Sequence, residues 1–134
     1  MDEDEVRIFK ETHTIAVVGL SGDPERPSYH VADYLIEQGY NVIPVNPTAG
    51  SIMSRKCYPD LASIPEKVDV VDVFRRAEDV PPIAEQAIKI GARVLWMQEG
   101  IVNEAAAARA RQAGLTVVMN KCMFKEHSRL HMRR

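Results

Sequence analysis

The sequence has no apolar run near the ~18 residues that a membrane span requires. Its acidic start, M-D-E-D-E-V-R-I-F-K, lacks the apolar core of a secretory signal, so a cytoplasmic protein is the expectation. Two cysteines, Cys57 and Cys122, are too few for a disulfide scaffold. A formal net charge of -2 leaves no general basic face for nucleic acid, although Arg75-Arg76 forms a local cluster. The phosphate-loop pattern G-x-x-x-x-G-K-[ST] does not occur, which disfavours the NTPases built on it. The dinucleotide pattern G-x-G-x-x-G is met only at Gly19, because Ser21 and Pro24 stand at its second and third positions. An acid for an NAD ribose is missing too, since the place for it holds Val45-Asn46-Pro47. No nucleophile elbow and no Ser/His/Asp set are visible, so no catalytic role is assigned.

What is present is an alternation of strand and helix signals in a chain of 134 residues, 46% hydrophobic and 27% charged. That size and balance suit one soluble domain, residues 1–134. Asp2 to Thr12 predicts an amphipathic helix. Ile15 to Val18 is a short β-branched run stopped by Gly19, as in a buried parallel strand. A turn-rich loop follows, with Ser28 predicted as the N-cap of a helix through Ile36 that Gly39 ends. Strands are predicted at 40–45, 68–74, 93–97 and 115–119, with helices at 79–90, 103–113 and from Cys122 onward. This predicts an α/β, Rossmann-like, three-layer domain with a five-stranded, mainly parallel sheet. Right-handed crossovers favour the order 3-2-1-4-5, counting strands along the chain, with the switch point between strands 1 and 4. Asp69 and Asp72 argue for an edge position of the third strand, on whose opposite faces they fall.

Strand, glycine loop and helix N-terminus form a place where free amides and a helix dipole attract phosphate. Gly19, Ser21, Arg26 and Ser28 are the candidates there. Cys122 follows the last strand at a helix start, beside Lys121, and both features favour a reactive thiol. A small buried hydrophobe is the competing reading of Cys122. His127 and His131 stand at a helical metal-binding interval but have no third ligand, so a solvated face is expected.

Several ordered motifs sharpen this reading: G-L-S-G-D-P-E-R-P-S-Y-H-V-A, V-I-P-V-N-P, R-K-C-Y-P-D-L, V-D-V-V-D-V-F-R-R, L-W-M-Q-E-G-I and N-K-C-M-F-K-E-H. From about Thr14 to Leu130 the chain resembles the small free-standing coenzyme A-binding proteins, similar to the N-terminal domain of the succinyl-CoA synthetase α subunit. The resemblance implies noncovalent binding of coenzyme A or an acyl-CoA, as a carrier, regulatory or thiol-protecting module. It implies that Gly19, Leu20, Ser21, Arg26, Pro27 and Ser28 hold the phosphates and the start of the pantetheine. Val45, Asn46 and Pro47 would border the adenosine, with Lys56 as a phosphate partner. Val73, Phe74 and Arg75 would close over the adenine, and Met97 and Gln98 would line the pantetheine. Cys122 would lie within reach of the pantetheine thiol for a mixed disulfide. Ser54 stands where a glycine is common in that family, and Ala77 where a proline is. The synthetase reaction uses a phosphohistidine in a further domain and an ATP-grasp partner, so ligase activity of this chain alone is not expected. The alternative is an NAD(P)-binding oxidoreductase with a non-standard loop. Neither nucleic acid nor membrane is an expected partner.

Overall fold

The structure, a computed structural model, describes residues 2–130. In chain order it runs α1 (Asp2–Glu11), β1 (Thr14–Val18), α2 (Pro27–Glu37), β2 (Asn41–Val45), β3 (Ser51–Ile52) and β4 (Arg55–Lys56). Then come β5 (Val70–Val73), α3 (Val80–Lys89), β6 (Val94–Met97), α4 (Glu104–Gln112), β7 (Thr116–Val118) and α5 (Met123–Arg129). Short 3₁₀ turns occupy Leu61–Ser63 and Ala77–Asp79. The main sheet is parallel throughout, in the order β2-β1-β5-β6-β7, and β3 and β4 form a separate antiparallel hairpin. Among the described residues no helix is long and apolar enough to cross a membrane.

The α/β, Rossmann-like architecture agrees with the sequence; the strand order does not. Counted along the chain, the main strands lie 2-1-3-4-5, so the third strand, β5, is central and pairs with β1 and β6. The switch point therefore lies between β1 and β5 rather than between the first and fourth strands. The two acids that argued for an edge have other uses. Asp69 sits just before β5, where its Oδ2 accepts the amides of His13 and Thr14 at 2.9 and 3.0 Å, so it caps the start of β1. Asp72 is wholly buried between its register partners Val17 and Trp96.

Helices cover both faces. One face packs Ile8 and Phe9 of α1, Val31 and Leu35 of α2 and Met123 of α5 on Ile15, Val17 and Trp96. The other packs Val80, Ala84 and Ala87 of α3 and Ala106, Ala107 and Ala110 of α4 on Ala16, Val71 and Leu95. Small alanines let α3 and α4 approach the sheet closely. Asn103 caps α4 as predicted, its side chain accepting the Ala106 amide at 2.9 Å.

Two helix-end expectations are corrected. Ser28 is not the N-cap of α2: Arg26 holds that position, Pro27 begins the helix, and no side chain caps it. Proline's fixed φ and missing donor suit the first helical position, which moves the boundary upstream of Ser28. His127 is not solvated but 1% exposed. Its Nδ1 lies 2.6 Å from the Tyr34 hydroxyl, and Phe9 and Tyr40 meet its ring edge-on. The helical period turns His127 inward with Met123, four residues earlier. His131 lies outside the described residues.

Candidate functional site

At the carboxyl end of the sheet, the residues that follow β1, β5 and β6, and Lys121 beyond β7, are tied to a neighbouring strand. Gly19 N donates to Val45 O at 2.9 Å, and Phe74 N to Val18 O at 2.8 Å. Gln98 N donates to Val73 O at 3.3 Å, and Lys121 N to Met97 O at 3.4 Å. Val45, Val73 and Met97 are buried, so their side chains build the floor of this edge rather than its surface.

Gly19 is the elbow at the switch point. Its φ is +89°, and a Cβ there would lie 2.5 Å from Phe74 O, with the Arg75 side chain 3.3 Å away. Only glycine lets the chain leave β1 this close to β5. The loop then closes on itself. Ser28 Oγ accepts the Ser21 amide, Ser21 Oγ accepts the Asp23 amide, and Asp23 Oδ1 accepts the Glu25 amide, each at 3.0 Å. Ser28 is thus a loop brace, which leaves the N-terminus of α2 without a side-chain cap or an acidic residue in its first turn. The amides of Gly22 and Ser28 find no acceptor among the described residues. Leu20 is buried in the core beneath the loop, and Pro27 is exposed at the helix start. The Arg26 side chain is 70% exposed and its Nε lies 4.0 Å from Asp23 Oδ2, a loose pair of little energetic weight.

The end of β2 braces the loop from the other side. Asn46 Nδ2 donates to Leu20 O at 3.0 Å, and its Oδ1 accepts from the Thr48 amide and hydroxyl at 2.9 Å. The β3–β4 hairpin flanks the glycine loop, since a Cβ on Gly22 would lie 3.8 Å from Ile52 Cγ1. The exposed Lys56 on that hairpin places Nζ 5.3 Å from the Tyr58 ring centroid. The hairpin turn holds Met53 at φ +56° and Ser54 at φ +62°. A cavity of about 160 Å³ opens beside β1 and β2, lined by Val18, Val45, Pro47, Asp60, Leu61 and Arg75, among others. Phe74 is half-buried against the core beside it.

Beyond β6, Gln98 is buried and its Oε1 accepts the Met123 amide at 3.3 Å, which satisfies one donor at the start of α5. Cys122 is a free, half-buried cysteine at the N-cap of α5 and packs against the core. Lys125 reaches Glu99 at 3.0 Å, and that hydrogen bond first holds its ammonium above the usual lysine range. Burial pushes the Cys57 thiol up. Burial also pushes Glu5 up, with Glu126 adding to the effect and Lys121 opposing it.

The structure thus brings Gly19, Ser21, Arg26, Ser28, Asn46, Pro47 and Arg75 around the switch point. Lys56 stands on the flanking hairpin, and Gln98 and Cys122 lie by α5. The sequence reading missed Asp60 and Leu61, which line the cavity through the irregular connection from β2. It also missed the importance of Asp72, whose two carboxylate oxygens have no partner and whose carboxyl burial holds well above the usual range. Its signal was an acid inside V-D-V-V-D-V-F. Among the described residues no group of three or more His, Cys, Asp or Glu could hold a metal ion.

Residues 13–128 match the family model of the CoA binding domain. The chain is 40% identical over 121 residues to the uncharacterized protein YneT of Bacillus subtilis, covering 90% of each. A solved structure of a hypothetical protein from Pyrococcus horikoshii superposes with a TM-score of 0.95 at 45% identity, over 98% of this chain and 93% of that one. An ADP-forming acetate–CoA ligase II of Archaeoglobus fulgidus is 31% identical over 80 residues, which are 58% of this chain and 12% of the ligase.

Proposed function

The chain belongs to the CoA binding domain family, and from that premise we propose that it binds coenzyme A or an acyl-CoA noncovalently across the carboxyl end of β1, β2, β5 and β6. The observation that carries the proposal is the uncapped N-terminus of α2, an 11-residue helix delivered to the switch point by the Gly19 elbow. The Ser28 amide in the first turn of α2 and the Gly22 amide in the loop before it, with no acidic residue in that turn to fill them, suit the diphosphate. Arg26, exposed and only loosely paired with Asp23, suits the same diphosphate, and Lys56 suits a further phosphate. The adenosine then lies toward Pro47, Phe74 and Arg75, beside the 160 Å³ cavity. The pantetheine runs toward Gln98 and Cys122. The donor set and the tight glycine loop fit this ligand. They do not favour NAD(P), because Asn46, where a ribose-binding acid would stand, is committed to bracing the loop.

The role proposed is a carrier, regulatory or thiol-protecting module. The chain spans only 12% of the length of the acetate–CoA ligase that it matches. Thermal unfolding with CoA, NAD, NADP and ATP tests the assignment. CoA at a hundredfold excess over its Kd stabilises by about 2.7 kcal/mol, and Arg26→Ala reduces that response. Stabilisation by NAD or NADP without a CoA response would refute it. The thiol-protecting role predicts a CoA-sized mass adduct under oxidising conditions that Cys122→Ser lacks.

A further inference from the structure

The N-terminal helix α1 lies before the matched span of residues 13–128, yet it reaches the proposed thiol end of the site. Glu5 on α1 is 1% exposed. Its Oε2 accepts from Lys121 Nζ at 2.6 Å, and its Oε1 lies 3.9 Å from Arg129 of α5. Lys121 is the residue before Cys122. Its carbonyl accepts from Trp96 Nε1 at 2.7 Å and its amide donates to Met97 O. Asn120, in the left-handed region at φ +61°, accepts the Gly100 amide at 2.7 Å. The turn carrying Cys122 is therefore held by the ends of β6 and, from below, by one buried acid on α1.

We propose that Glu5 is a positioning residue for the Cys122 turn, so that α1 sets the thiol end of the CoA site through the Glu5–Lys121 pair. The proposal rests on the CoA reading above. An exposed ion pair contributes little, but Glu5 is buried, so removing its charge takes away its 2.6 Å hold on Lys121 and loosens the turn.

Glu5→Gln and Lys121→Met test it, each checked for folding by circular dichroism; Lys121→Met, changed at a half-exposed site, serves if Glu5→Gln does not fold. Titration calorimetry measures CoA and adenosine 3′,5′-bisphosphate, which lacks the pantetheine arm. The rate of Cys122 is read with an aromatic disulfide, whose S–S bond its thiolate cleaves to form a mixed disulfide and release one thiolate. The fast phase is identified by its loss in Cys122→Ser. The expected result is at least a threefold weaker CoA affinity, unchanged bisphosphate affinity and at least a threefold change in Cys122 rate. Equal weakening of both ligands, or an unchanged Cys122 rate in a folded variant, overturns the proposal. Wild-type protein that binds neither ligand instead overturns the CoA reading itself.

Discussion

Asp72 is the most direct test of the physical picture. It lies at the middle of the sheet, 0% exposed, flanked in register by Val17 and Trp96, with neither carboxylate oxygen hydrogen-bonded. Burial holds its folded pKa well above the value of about 3.9 for the unfolded chain. Below ~3.9 both states carry the proton and the group is neutral to stability. As pH rises further, the unfolded chain releases the proton while the folded chain keeps it. Stability then falls by about 1.4 kcal/mol per pH unit until the folded pKa is passed. Asp72→Asn removes this slope but keeps a polar group. Asp72→Leu keeps the branching and also removes an unsatisfied buried group costing about 1–3 kcal/mol. The Leu variant should therefore unfold several degrees higher at pH 7, at roughly 3 °C per kcal/mol for a chain of this size. Urea unfolding from pH 5 to 8, followed by Trp96 fluorescence and circular dichroism, gives the difference between variant and wild type, in which other titrating groups cancel. A Leu variant destabilised by more than ~1 kcal/mol at unchanged m, or a wild-type-minus-Asn difference flat with pH, would refute the reasoning.

Other outcomes follow from the same geometry. Gly19→Ala places a Cβ 2.5 Å from Phe74 O at φ +89°, so it should cost more than ~2 kcal/mol in denaturant unfolding and abolish the thermal response to CoA. Ser54→Gly relieves a left-handed residue in the β3–β4 turn and should stabilise by about 1 kcal/mol, read as a higher urea midpoint. Asn103→Ala removes the cap of α4 and should cost about 1 kcal/mol by the same measurement. Mass-resolved alkylation should modify half-exposed Cys122 before Cys57, which is buried and whose thiol burial pushes up.

The sequence by itself determined the elements of the main sheet and the glycine loop that leaves β1. β-branched runs ending in Gly19 and Pro47, alanines after Asn103 and glycines after helices carry period and punctuation in the local chain. The α/β class and the Gly19 loop therefore follow from neighbours a few residues apart. Only the tertiary structure decided which strand is central. Asp69 and Asp72 look alike in a linear chain, yet one caps the start of β1 and the other is sealed between Val17 and Trp96. Ser28 and His127 teach the same lesson. A serine near a helix start has the chemistry of a cap, but Pro27 moves the boundary and Ser21 takes the hydroxyl. A histidine near a ragged, charged end is solvated unless Phe9, Tyr34 and Tyr40, distant in sequence, enclose it. Burial and pairing at these positions are set by what other strands and helices bring against them, and no local pattern encodes that.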